Sequence, residues 1–237
     1  EVVAGVAAQL QSRGVEVAGV HLLMGSESGA VAQLADELDA ALVVVGWQDL
    51  TRFQRLFHSG ASEITVRKTH QPVLVVRDAT WPPAGLVAGY DGSASSLAAA
   101  DMAARLARAF ELDIALVQAL PELSPEARQA TPAELTELVK DILERHAQRL
   151  RGIHEVKVST EVLAGRASRM LLERVGGDRL LAIGNPRTPK LPESVLGRHC
   201  CELLEKARGP VLVCHSEAQL NRPVNLGALA GSPLPHP

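Results

Sequence analysis

Two stretches of this chain repeat one another at fixed spacing. Val43-Val44-Val45-Gly46 is followed, 26 residues after its glycine, by Pro72-Val73-Leu74-Val75. Leu181-Ala182-Ile183-Gly184 is followed, 26 residues after its own glycine, by Pro210-Val211-Leu212-Val213. An apolar strand closed by glycine, a long loop, a helix and a second apolar strand are laid down twice, as in a duplicated unit. In open α/β sheets, ligands bind at loops leaving the carboxyl ends of strands. The repeat therefore points to a fold and to the place of a site together.

The 237 residues suffice for one or two domains, and 46% hydrophobic content supplies real cores. A net charge of -3 offers no electrostatic attraction to nucleic acid or to an anionic membrane. Residues 1–83 hold 6 basic and 9 acidic side chains, and the remainder holds 18 of each. The apolar runs are strand-sized, well short of the ~20 residues of a membrane-spanning helix, and no signal peptide is expected. The chain opens on Glu1, and residues 1–10 already read as mid-helix. The start of the protein is thus expected to have been lost or processed away. Cys200, Cys201 and Cys214 form no disulfide framework, which favours a reducing cytoplasm. His199-Cys200-Cys201 has the letters of a metal cluster, but consecutive helical side chains diverge by ~100° and cannot converge on one ion. No metal is expected, and Cys200 is assigned to the buried face of a helix.

The later unit reads as the complete one. Leu86–Gly89 is an apolar strand running into Tyr90-Asp91-Gly92-Ser93, and Ser93, Ser95 and Ser96 offer caps for an alanine-rich helix reaching about Phe110. Ile114–Leu120 is a buried strand. Thr131-Pro132-Ala133-Glu134 is a capping box with proline at the first helical position. Leu135, Leu138, Val139, Ile142, Leu143, Ala147 and Leu150 carry the helix onward to an expected end at Gly152. Val156–Leu163 reads as a strand, Ala167–Val175 as a helix and Leu180–Ile183 as a strand. Leu196, Cys200, Leu203, Leu204 and Ala207 make one helical face before the last strand, Pro210–Cys214. Near-continuous apolar strands alternating with helices predict a parallel sheet covered on both faces.

The earlier unit contains only the later elements. Helices are expected over Val2–Ser12, Ser28–Leu38 and Ser62–Thr69, and strands over Val15–Leu23, Leu42–Val45 and Pro72–Val76. The expected organisation is an incomplete repeat over 1–78, a proline-stiffened linker over 79–85, a complete repeat over 86–216 and a disordered tail over 217–237. Trp47, Phe53 and Phe57 with Arg52 and Arg55 form either a loop packing cluster or a partner- or nucleotide-stacking patch. Ser26 and Ser28, near Gly25 and Gly29, read as cap and loop residues.

Asp91-Gly92-Ser93 after the first strand, together with the glycine loop ending in helix and Pro-Val-Leu-Val, resembles the universal stress protein family in its tandem form. The resemblance covers about 1–77 and 86–215. It implies a doubly wound α/β fold with a five-stranded parallel sheet in order 3-2-1-4-5 in the second unit, and an incomplete copy in the first. It also implies a site for ATP or another adenine nucleotide. The family's binding branch carries Gly-x2-Gly-x9-Gly-Ser/Thr, whose glycines let backbone N–H groups approach phosphate at a helix N-terminus. Here Gly184 and Gly197 fill the first and third places, while Arg187 and Arg198 replace the second glycine and the hydroxyl residue. In the first unit Gly46 stands, with Asp49, Ser59 and Gly60 at the other places. An acid at a phosphate position is repulsive. By the same resemblance Asp91 would lie beside the nucleoside and Ala119 would present backbone to adenine.

Two outcomes stay open for the second unit. Either the arginines fill the space the glycines would leave, and binding is weak or lost, or they neutralise phosphate directly. The resulting expectation is a cytoplasmic stress-response regulatory or binding module with a degenerate adenine-nucleotide site, and not a dedicated catalyst. Its rivals are an ATP-binding switch with slow hydrolysis and a cytosolic domain of a larger transporter or sensor. The two repeats are expected to pack as an intramolecular pseudo-dimer through antiparallel pairing of their last strands. A homodimer or a signalling protein partner would come beyond that, with no nucleic acid or membrane partner.

Overall fold

The computed structural model describes residues 2–23, 27–46, 69–77, 81–120, 132–185 and 197–215. In chain order the elements are α1 (Val2–Ser12), α2 (Glu27–Glu37), β1 (Val43–Gly46), β2 (Val73–Val76), β3 (Leu86–Gly89), α3 (Ala94–Ala109), β4 (Ile114–Leu120), α4 (Pro132–His154), β5 (Val158–Ala164), α5 (Ala167–Val175), β6 (Leu180–Gly184), α6 (Arg198–Lys206) and β7 (Val211–Cys214).

The seven strands among the described residues belong to one sheet in the order β1-β2-β7-β6-β3-β4-β5. Counted within the second unit, this is 3-2-1-4-5. Its central neighbours β3 and β6 run parallel, with Leu86 opposite Leu180 and Ala88 opposite Ala182. The strands alternate between two cores. Leu86, Ala88, Leu180, Ala182 and Leu212 face α3 and α4, where Ala99, Ala103 and Leu143 meet them. Val87, Leu181, Ile183, Val211 and Val213 face α5 and α6 through Leu171, Leu203 and Leu204. Both faces are buried, so these strands read as unbroken apolar runs.

The repeats join where β2 and β7 pair antiparallel, Val73 opposite Val213 and Val75 opposite Val211. All other neighbouring strands are parallel. Val73 and Val75 are 0% and 1% exposed, so the seam lies inside the molecule. On the first-repeat side, half-buried Arg77 donates to the carbonyl of Leu204 near the end of α6. Its counterpart in the second repeat, His215, is buried and contacts Asn185 instead, Nδ1 lying 3.4 Å from the Asn185 Nδ2.

Two expectations are corrected. Val15–Leu23 is not a strand: its Val15 N–H bonds the Leu10 carbonyl at 3.1 Å, it forms no ladder with a described strand, and Val20, Leu22 and Leu23 are exposed. Apolar residues supply burial but not the ladder partner that strand backbone requires, and the one strand that would neighbour this segment in the order 3-2-1-4-5 is not among the described elements of the first repeat. Nor does Gly152 close α4, which runs on to His154. Glu155 supplies the left-handed stop with φ 54°, its N–H bonding the carbonyl of Arg151, while Arg108 donates to the carbonyl of His154 at 3.0 Å. His154 in turn sits 2.8 Å from Asp101 of α3, whose second oxygen accepts from Arg105 at 2.8 Å. This buried polar cluster fixes the end of α4 against α3.

The remaining boundaries differ from the expected ones by a residue or two. The helix expected over Ser62–Thr69 lies, except for Thr69, outside the described residues, as do Ser26, the Trp47–Phe57 aromatic and arginine group, and the tail over 217–237. Among the described residues, no helix is long and apolar enough to cross a membrane.

Candidate functional site

The cleft forms at the carboxyl ends of β3, β4 and β6. After β3 the chain turns through Tyr90 and Asp91 to Gly92, whose φ of +80° is a conformation that disfavours side chains. Ser93 then caps α3, its hydroxyl accepting from the Ser96 N–H at 3.2 Å. The Asp91 carboxylate takes the Ser93 N–H at 2.9 Å, and the Ser96 hydroxyl donates to the Ser93 carbonyl at 2.9 Å. Burial pushes the Asp91 carboxyl upward, but hydrogen bonds from Ser93, Ser96 and its own backbone outweigh this and hold it below the ordinary value. Asp91 is therefore a carboxylate at neutral pH, and one of its oxygens is committed to the turn.

Gly184 ends β6 beneath the first turn of α3. A Cβ there would lie 2.4 Å from the Ser96 nitrogen and 2.5 Å from the Ser95 carbonyl carbon. This glycine is thus demanded by helix packing inside the protein, whatever else approaches it. Next comes Asn185, 3% exposed. Its N–H bonds the Cys214 carbonyl at 2.8 Å, and its side-chain oxygen accepts from the Gly197 N–H at 2.9 Å. The two ends of the intervening loop are pinned together by one side chain.

Gly197 is the N-cap of α6 and offers no side-chain cap. The N–H groups of the first turn of α6 have no intrahelical acceptor and form a positive end beside the cleft. The Gly197 N–H itself already belongs to Asn185, which leaves the N–H groups after it to face the cleft. Arg198, the first residue of α6, is exposed and does not line the cleft; His199 does. Arg187, Asp49, Ser59 and Gly60 lie outside the described residues.

The cleft has a volume of about 130 Å³ and brings Tyr90, Asp91, Ser96, Ala119, Gly184 and His199 together. Binding pockets for organic ligands commonly enclose ~300–1,000 Å³, so the cleft taken by itself is smaller than such a pocket. A wider, open groove of about 1090 Å³ runs along α5 and α6, and shares Ala119, Ala167 and His199 with the cleft. Across it Glu202 ties α6 to the start of α5, accepting from Ser168 at 2.8 Å, from Lys206 at 2.9 Å and from Arg166. The bonds from Lys206 and Ser168, and then Arg166, pull the Glu202 carboxyl down to about 2 against a smaller opposing effect of burial.

Of the residues singled out from sequence, Asp91, Ala119 and Gly184 converge on one cleft, with Gly197 pinned at its edge. His199, which lines the cleft, and Asn185, which holds Gly197 beside it, are the neighbours that the sequence alone did not point to. A polar residue placed directly after a buried strand was the available signal for Asn185.

A family model described as the universal stress protein family matches residues 1–77 and 86–215. The chain is 27% identical over 224 residues to Universal stress protein Rv1996 of Mycobacterium tuberculosis, covering 84% of this chain and 71% of that one. Among solved structures, a putative universal stress protein from Pseudomonas aeruginosa UCBPP-PA14 superposes with a TM-score of 0.65 at 15% identity, covering 98% of this chain and 82% of that chain. The protein PA1789 from Pseudomonas aeruginosa PAO1, described as functionally unknown, gives a TM-score of 0.62 at 14% identity, covering 97% and 81%. At these identities the structural likeness concerns the fold.

Proposed function

We propose, from the premise that this chain belongs to the universal stress protein family, that it is a stress-response binding module whose adenine-nucleotide site, in the second repeat, is degenerate. It acts by presenting a surface to a partner and not by turning over a substrate. One observation carries this reading: the cleft between Asp91 and Gly184 holds only about 130 Å³. The hydrogen bond from Gly197 to Asn185 supports it, since a backbone donor suited to phosphate is already satisfied. Replacement of glycine by Arg187 in the loop supports it from sequence. In the first repeat, Asp49 stands where the family pattern has glycine, so no second site is proposed there. A cytoplasmic setting fits the three free cysteines.

Calorimetric titration with ATP, ADP and AMP tests the reading, together with mass spectrometry of any ligand retained on purification. The native chain is expected to carry no nucleotide and to bind ATP no tighter than about millimolar. The double variant Arg187→Gly with Arg198→Ser is expected to create or strengthen ATP binding. Micromolar ATP affinity in the native chain, weakened by about 1–3 kcal/mol in Arg187→Ala, the scale of a lost charged hydrogen bond, would replace this reading with an ATP-binding switch.

A further inference from the structure

In the complete second repeat the sheet ends at β5, which has β4 on one side and no strand among the described residues on the other. Register fixes which groups of β5 face outward. The Ile114 N–H bonds the Lys157 carbonyl at 3.0 Å, and the Gly165 N–H bonds the Leu120 carbonyl at 2.8 Å. The odd-numbered residues of this stretch therefore turn N–H and C=O toward β4. Val158, Thr160 and Val162 turn theirs toward the outer side. An edge of this kind is a template for another strand.

The side chains of β5 would suit a second copy of itself. With a two-fold axis at Thr160, antiparallel pairing sets Thr160 opposite its own copy and Val158 opposite Val162. It requires the Val158 carbonyl of each copy to accept the Val162 N–H of the other. On the opposite face Glu161 would meet Ser159, and its charge is already matched by Arg174, whose Nε lies 2.7 Å and Nη2 2.6 Å from its carboxylate. No like charges oppose one another in this register. The β2–β7 seam shows that this fold can join two strands antiparallel between units.

At β5 the acceptor that such a pair needs is taken. Arg151 of α4 reaches over the edge, its Nε 3.0 Å and its Nη2 2.5 Å from the Val158 carbonyl oxygen. Its Nη1 is anchored 2.5 Å from one oxygen of Glu144, whose other oxygen accepts from the Thr160 hydroxyl at 3.4 Å. All three guanidinium nitrogens are used, and the clip spans the edge from Val158 to Thr160. A planar fork held in this way is pre-organised as a lysine would not be. The bond from Arg151 holds the Glu144 carboxyl below its ordinary value, so the anchor is charged at neutral pH. We infer that Arg151 is a lock on the outer edge of β5: by filling the Val158 carbonyl it prevents a second copy of this chain from adding its own β5 antiparallel and fusing two sheets into one. The lock acts twice in such a pair, because both Val158 carbonyls are needed.

The test is sedimentation velocity and backbone amide exchange of the intact 237-residue chain, each at about 1 μM and about 100 μM. Arg151→Met keeps an aliphatic stem over the sheet and removes the fork. It is expected to associate as concentration rises, with exchange at Thr160 and Val162 slowed about tenfold or more at the higher concentration. The parent should show no concentration dependence at those two amides. Adding Thr160→Lys to Arg151→Met places like charges opposite one another at the axis and should abolish the effect. Glu144→Ala leaves Arg151 without its anchor and should act in the same direction more weakly, so the question is decided even where Arg151→Met does not fold. The inference is overturned if neither variant gains concentration-dependent protection at Thr160 and Val162, or if that protection survives Thr160→Lys. It is equally overturned if the parent already shows it.

Discussion

A methyl group added at Gly184 would push into the backbone of Ser95 and Ser96, and neither can move without shifting the start of α3. Gly184→Ala is therefore expected to destabilise the protein by about 1–3 kcal/mol or more. At exposed Gly46 the same change should be neutral or stabilise by up to about 1 kcal/mol through the unfolded chain. Urea midpoints of the two variants against the parent check the contrast, and equal effects would contradict the packing account. Glu202 gives a pH prediction. Its carboxyl falls from an ordinary 4.5 to about 2 in the folded chain. A depressed carboxylate stabilises the fold above its unfolded value, and that contribution is lost as pH drops from about 4.5 through about 2. Glu202→Gln should consequently flatten the acid limb of stability in this window and change it little in shape above pH 6. A parent and variant with parallel urea midpoints between pH 5 and pH 2 would show that the contacts to Lys206, Ser168 and Arg166 add nothing.

At the scale of elements, the segment 15–23 is the instructive one. Its backbone joins no ladder among the described strands, so the amides after Val15 should exchange far faster than those of Leu180–Gly184, which are held between β3 and β7. Equal protection in the two segments, read by mass spectrometry, would mean that 15–23 has found a strand partner. The contrast also explains what sequence could and could not disclose. β3, β4, β6 and β7 were legible because burial on both faces leaves each an unbroken apolar run, and α3 because Ser93 announces its cap. Val15–Leu23 has comparable apolar content, yet strand formation depends on a neighbour that local pattern does not contain. Gly152 looked like a stop, but the end of α4 is set by Glu155 and by Arg108 reaching over from α3. In the site, Asp91 and Gly184 were visible as a turn acid and a strand-ending glycine. That Gly184 answers to α3, and that Asn185 occupies the Gly197 N–H, arises from approaches between residues distant in sequence.

At the scale of the molecule, the antiparallel seam makes one sheet of two repeats. Val75 faces β7 opposite Val211 and is 1% exposed. Val75→Pro would remove a seam donor and place a ring against the neighbouring strand, a substitution that sheet interiors do not tolerate. The first repeat is expected to melt in a separate, earlier transition while the second keeps its own, where the parent unfolds in one step. A single unchanged transition in calorimetry would show that the seam does not couple the repeats. The seam has a further consequence. In a symmetric dimer every contact occurs twice, one residue meeting a second and the second meeting the first, so a change is made twice or not at all. Here the equivalent positions are Arg77 and His215, and they have parted company. One is a cation that burial lowers to about 10 and that reaches the Leu204 carbonyl; the other is an imidazole beside Asn185. Joining the halves in a single chain releases each from being its partner's mirror image. One side of the contact is then free to brace a helix while the other braces the loop behind the cleft.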